Sequence, residues 1–103
     1  MLRVTVEETG DRVVFRVEGK LRGPWVVELE RCWRSTTSRA SGRSFGVDLD
    51  GVTFIDDRGK ALLSEMDEAG TELIANGWMM RSIVQQIVTM HGVNSMTNTA
   101  EQS

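Results

Sequence analysis

The sequence predicts an α/β (α+β) domain: a four-stranded mixed sheet with helices mainly on one face, in the order ββαβαβα. Two observations carry this. Residues 3–18 hold two alternating apolar runs around Gly10-Asp11, the pattern of an antiparallel hairpin. From Pro24 onward, segments with apolar residues three and four apart alternate with short apolar runs bounded by turn residues. Such alternation implies parallel crossovers that return to the hairpin's sheet. With 103 residues, the chain supports one domain, expected over 1–92, with 93–103 as a flexible polar tail.

The elements follow in order. Val4 and Val6 face one way in the first strand, and Val13, Phe15 and Val17 do so in the second. Gly19 and Gly23 break the alternation. Pro24 suits the first turn of a helix, and Trp25, Val26, Leu29, Cys32 and Trp33 then fall at helical spacing to about Arg34, with fraying toward Arg39. Residues 35–44 are a polar connector. Phe45 to Leu49 reads as a short buried strand closed by Asp50-Gly51. Asp56 is a good N-cap and Asp57 suits the first turn of a second helix. Its stripe is Ala61, Leu62, Met66, Ala69 and Leu73, its acidic side Glu65, Glu68 and Glu72, and its stop Asn76-Gly77. Trp78 to Met80 is expected to be the last buried strand. Ser82 then caps a final helix striped by Ile83, Val84, Ile87, Val88 and His91.

Composition narrows the function classes. Twelve Lys+Arg against 15 Asp+Glu give a net charge of -3, with 40% apolar and 26% charged residues, which is ordinary globular composition. One Cys cannot form an internal disulfide, and a reduced, cytoplasmic setting fits it. A single His rules out sites that need two. No apolar run approaches the ~20 residues of a bilayer span, so no direct membrane insertion is expected. Residues 1–46 carry nine basic and six acidic side chains and residues 47–103 three and nine. That asymmetry reads as oppositely charged faces, and without a basic stripe nucleic acid is not expected as a partner. No cofactor and no metal site is expected.

Several side chains invite functional readings that packing explains more simply. Trp25 and Trp33, eight residues apart, are expected to pack on the sheet, Trp78 to lie in strand core, and Met66, Met79 and Met80 to fill core positions. Met96 falls in the tail. Cys32 is expected to act as a small hydrophobe, and His91 to meet the last carbonyls of its helix.

The stretch 47–59 places Asp48, Asp50, Asp56 and Asp57 close together. Asp48-Leu49-Asp50-Gly51 resembles the opening motif of haloacid-dehalogenase phosphatases, which would imply a small Mg-dependent phosphatase with Asp48 as nucleophile and Asp50 as general acid. Val52 stands where that motif has Thr, and only 52 residues follow Gly51. A divalent cation held by the strand-end carboxylates is a second reading. Solvent-facing alternation is the simpler account of Asp48 and Asp50.

A third reading covers more of the chain. Residues 47–63, Val-Asp-Leu-Asp-Gly-Val-Thr-Phe-Ile-Asp-Asp-Arg-Gly-Lys-Ala-Leu-Leu, resemble the STAS family of sulfate transporters and anti-sigma factor antagonists. The family pattern is a buried strand, a Gly turn, an apolar stretch and Asp-Ser-Ser-Gly at a helix start. Asp56 matches the Asp and Gly59 the Gly. Asp57 and Arg58 stand at the two Ser positions. The resemblance implies a non-enzymatic protein–protein interaction domain acting in bacterial regulation. Its partner would be an anti-sigma factor or kinase, or alternatively the ATPase subunit of an ABC lipid-transport system; a homodimer is also compatible. Arg58 at the phosphoacceptor position implies that the serine phosphorylation switch is absent. The partner-binding residues it implies are Thr53, Asp56, Asp57, Arg58, Gly59 and Lys60.

Overall fold

A hairpin begins the sheet, and every later strand is added at one side of it. The computed structural model describes residues 1–40 and 42–88. Strands β1 (Leu2–Thr9) and β2 (Arg12–Leu21) pair antiparallel, with Thr9 opposite Arg12 across the Gly10-Asp11 turn. Helix α1 (Pro24–Arg39) leads to β3 (Ser44–Ile55), which runs parallel to β2. Helix α2 (Asp57–Glu68) leads to β4 (Glu72–Ile74), parallel to β3. The strand order is β1-β2-β3-β4. A last helix occupies 78–88, where the described residues end. His91, Met96 and the expected tail lie outside the described residues.

The helices cover one face of the sheet. Val13, Phe15 and Val17 of β2 and Val47 and Leu49 of β3 are fully buried there, against Leu29 and Trp33 of α1, Leu62, Leu63 and Met66 of α2, and Ile87 of the last helix. Phe45 extends this core by stacking on Phe15, ring centroids 6.5 Å apart. The opposite face carries ion pairs: Arg3 with Glu18, Arg16 with Glu7, and Arg12 with Glu72. The first two join neighbouring strands, as suits a solvated sheet face, and Arg12 reaches Glu72 of β4 across Gly46 of β3.

Four elements differ from the sequence reading. β3 is one strand, not a strand closed by Asp50-Gly51. Its register against β2 shifts twice, between Arg16 and Glu18 and again between Gly19 and Lys20. Each shift inserts one extra β3 residue, a bulge that turns the strand and resets which side chains face the core. The inward residues therefore run Val47, Leu49, Val52, Ile55. β2 likewise continues through Gly19 to Leu21 instead of breaking there.

The second helix ends early. Gly70 adopts φ 96°, the Gly70 N–H donates to the Asp67 carbonyl at 3.0 Å, and the Thr71 N–H donates to the Met66 carbonyl at 2.9 Å. This pair of bonds satisfies the last carbonyls and reverses the chain. Leu73 and Ile74 consequently belong to β4, not to a helical stripe, and Glu72 pairs with Arg12 instead of extending the helix's acidic side.

The expected strand 78–80 is the first turn of the last helix, since β4 has already taken the sheet position beside β3. That helix starts before Ser82: the Arg81 N–H donates to the Gly77 carbonyl. Trp78 is accordingly 81% exposed, and Met79 is exposed too, while Met80 turns inward. In α1 the buried stripe is Val26, Leu29, Trp33 and Thr36. Trp25, one residue ahead of that stripe, sits at its margin and stays 36% exposed. Val88, expected on the last stripe, is exposed.

Candidate functional site

At the ends of β2 and β3 the starts of α1 and α2 converge on one carboxylate. Asp56 has extended backbone (φ -87°, ψ -179°), as an N-cap requires, and its Oδ1 accepts the Gly59 N–H at 2.7 Å. Its Oδ2 accepts the Gly23 N–H at 3.0 Å, from the N-cap residue of α1. Its own N–H donates to the Leu21 carbonyl at 3.1 Å. Asp56 thus fixes both helix starts to the end of β2. The N–H donors of Gly23 and Gly59, aided by the nearby Arg58 guanidinium, hold its carboxyl below the usual carboxylate range.

A depressed folded-state pKa stabilises the fold above the unfolded value, about 3.9. That contribution disappears as pH falls through the lower folded value. Asp56→Asn keeps one acceptor oxygen and loses the charge. We expect Asp56→Asn to melt several degrees below the parent at neutral pH. The gap should narrow as pH drops below about 3.9. A gap independent of pH in circular-dichroism melts would show that the charge of Asp56 contributes nothing.

Gly59 is buried because α2 lies against the end of β2. A Cβ there would stand 2.8 Å from the Leu21 carbonyl oxygen and 2.8 Å from Ile55 Cγ2. The residues around it face outward. Thr53 is exposed and its Oγ1 donates to the Gly19 carbonyl at 3.3 Å. Asp57 and Arg58 are exposed in the first turn, and Lys60 is half-buried. Phe54, which the sequence reading did not single out, is 46% exposed because the second register shift of β3 turns it away from the core.

Two shallow grooves flank α2. One, about 280 Å³, lies between α1 and α2, and its lining includes Val27, Glu30, Arg58, Ala61 and Glu65. The other, about 480 Å³, lies between α2 and the last helix, lined by Asp57, Lys60, Ala61, Ser64, Gln86 and Ile87. Arg34 spans Glu30 and Glu65 at the first groove. Arg58 forms no ion pair among the described residues.

The other two carboxylates of the motif do structural work. Asp48 Oδ1 accepts the Asp50 N–H at 3.0 Å within the bulge. Asp50 accepts the Asn76 N–H at 2.6 Å, the Asn76 amide at 2.8 Å and the Gly77 N–H at 3.2 Å. Those donors hold its carboxyl below the usual range and fix the turn that launches the last helix. The extra β3 residue makes this reach possible, and no sequence spacing announces it. Among the described residues no helix is long and apolar enough to cross a membrane.

No protein-family model matches the chain, and no curated protein matches it. Solved structures do. An anti-sigma factor antagonist from Mycobacterium paratuberculosis superposes with a TM-score of 0.70 at 18% identity, over 93% of this chain and 82% of that one. The anti-sigma factor antagonist SpoIIAA in its unphosphorylated form gives 0.61 at 24% identity, over 81% and 82%. A STAS-domain antisigma-factor antagonist from Rhodobacter sphaeroides gives 0.51 at 21% identity, over 74% and 86%. At these identities the likeness is one of fold. The chain has the STAS-type fold of anti-sigma factor antagonists, as the resemblance at 47–63 implies.

Proposed function

We propose that the chain is a protein-binding domain that works by contact rather than catalysis. It docks a regulatory partner on the start of α2, around Thr53, Phe54, Asp57, Arg58 and Lys60. Asp56 and Gly59 set the geometry of this surface from below. The observation that carries the reading is Arg58. A cation in the first turn of a helix opposes the helix dipole, Arg58 is exposed, and it has no ion-pair partner among the described residues. Its attraction to the Asp56 carboxylate only offsets that opposition, so helix stability gives no net reason for a cation there. Val27, which lines the α1–α2 groove together with Arg58, is an exposed apolar side chain that an interface would cover. The fold is that of proteins described as anti-sigma factor antagonists, which supports an anti-sigma factor or kinase as the partner class. Arg58 has no hydroxyl, so a phosphate at that position cannot release the partner. That same observation favours a second reading, a subunit beside an ABC transporter ATPase.

The test combines capture and titration. The tagged chain is incubated with extract of its native cell, and retained proteins are identified by mass spectrometry. An anti-sigma factor or kinase supports the first reading, and an ABC ATPase the second. Arg58→Glu is then titrated with the retained partner. Stability should stay within about 0.5 kcal/mol of the parent, because relief of the dipole conflict opposes repulsion from Asp56. Affinity should fall tenfold or more, since a like charge now faces the partner's complement. Unchanged affinity places the docking surface elsewhere.

A further inference from the structure

The two edges of the sheet are unequal. β4 offers three residues, Glu72–Ile74. β1 offers eight, Leu2–Thr9, without Pro, Gly or bulge, paired in unbroken register with β2 and, among the described residues, with no strand on its other side. Proteins usually blunt such an edge with Pro, bulges, short length or charge; β1 has only the last, in Arg3, Glu7 and Glu8, and two of these three charges are of opposite sign and four residues apart.

The direction of its free hydrogen-bonding groups follows from the ladder. The Lys20 N–H donates to the Met1 carbonyl. Hydrogen-bonded pairs alternate along an antiparallel ladder, so Arg3, Thr5, Glu7 and Thr9 bond to β2. Leu2, Val4, Val6 and Glu8 turn their N–H and C=O groups outward. Their side chains lie on the helix-covered face, opposite Gly19, Val17, Phe15 and Val13. Val6 nonetheless remains 38% exposed at this margin. Arg3, Thr5 and Glu7 lie on the other face.

We propose that β1 is a self-association edge. Two copies pair β1 with β1 antiparallel about a two-fold axis at Thr5, joining two four-stranded sheets into one. In this register Val4 of each copy sits opposite Val6 of the other, as a pair bonded through the outward-facing groups. Arg3 of each copy sits opposite Glu7 of the other. The two-fold makes both contacts occur twice. The charge pattern selects the register: shifting it by two residues either way sets Arg3 opposite Thr5 or Thr9 and loses both ion pairs. Cross-strand opposite charges favour the pairing, and like charges directly opposite oppose it. Within one chain the Arg3–Glu18 contact is loose, 3.9 Å and well exposed, so Arg3 can serve the partner strand.

Sedimentation velocity across a concentration series tests this on the full chain. The mass should rise from 11.5 kDa toward twice that value. Arg3→Glu and Glu7→Arg should each weaken the dimer tenfold or more. The double reversal should restore it, although it leaves like charges facing Glu18 and Arg16 inside each chain. A purely structural role for these residues would make the double variant worse, not better. Val6→Pro removes an outward N–H without touching the β1–β2 ladder, and should abolish the dimer while circular dichroism stays native. Thr5→Cys should form a covalent dimer on mild oxidation where the parent, with Cys32 alone, does not. A mass fixed at 11.5 kDa, a dimer indifferent to the single reversals, or failure of the double reversal to restore it would each overturn the proposal.

Discussion

Gly59→Val should lower the melting temperature by more than about 10 °C. The reason is the backbone oxygen of Leu21. Any side chain at 59 brings its Cβ within 2.8 Å of that oxygen and of Ile55 Cγ2, and within 3.1 Å of Leu21 Cγ. Leu21 and Ile55 are both core residues. The oxygen cannot retreat freely, because it accepts the Asp56 N–H. Relief therefore requires α2 to lift away from the sheet, stretching the Asp56–Gly59 cap that starts the helix. Alanine would force one methyl into this space, at about 1–3 kcal/mol, and would recover about 1 kcal/mol of helix propensity. Valine adds two further methyls and recovers less. Each kcal/mol corresponds to about 4–8 °C in a domain of this size. Gly51→Ala is the matched control: there the Cβ would meet Glu18 Cγ at 2.7 Å, a side chain that can swing toward solvent, and the nearest backbone atom, the Val17 carbonyl oxygen, only at 3.2 Å. It should melt within a few degrees of the parent. A Gly59→Val protein that melts with the parent would show that α2 can shift at no cost, and the site geometry would lose its anchor.

The parts of the fold that the sequence makes legible are those in which one periodicity governs a whole element. Val13, Phe15 and Val17 alternate without interruption, and β2 buries all three. Val26, Leu29 and Trp33 step by three and four, and α1 buries them. Asp56 is readable as an N-cap from local sequence. Its second bond, to Gly23, joins residues 33 apart, and no local pattern encodes it. β3 is where periodicity misleads. Its inward residues are spaced by two, then three, then three, so the strand resembles a short run followed by a turn. Phe54 was missed for the same reason: without the second register shift, its exposure has no sequence signature. Past α2 the apolar spacing of Ala69, Leu73 and Ile74 continues a helical rhythm by coincidence, and only the local turn at Gly70 breaks it. With β4 then set at 72–74, Trp78 has no strand to belong to and falls on the exposed start of a helix. The motif's chemistry was similarly ambiguous. Asp48 and Asp50 read as paired carboxylates, whereas their oxygens are turned to backbone donors of the bulge and of the 76–77 turn.

Trp33→Ala should cost about 3–5 kcal/mol, the range for deleting a large buried aromatic side chain. Trp33 joins three parts of the structure. Its ring lies in the core beneath α1, the Arg34 guanidinium stands 5.3 Å from the ring centroid, and its Nε1–H donates to Thr71 Oγ1 at 3.0 Å. Thr71 is itself buried and follows the Gly70 turn that ends α2. The bond therefore ties α1 to the turn between α2 and β4, and so fixes the spacing of the two helices whose starts form the proposed docking surface. Thr71→Val keeps the shape and removes the acceptor, leaving a buried indole N–H without a partner, a loss of about 1–3 kcal/mol. Trp33→Phe removes the donor and part of the ring. Because the two residues share one bond, the double variant Trp33→Phe, Thr71→Val should cost less than the sum of its single changes, by about 1 kcal/mol. Urea unfolding followed by far-ultraviolet circular dichroism measures all four proteins without relying on tryptophan fluorescence. A neutral Thr71→Val, or strictly additive costs, would mean that Trp33 holds α1 by packing alone. The distance between α1 and α2 would then be set by Val26, Leu29 and Leu62 rather than by the indole hydrogen bond.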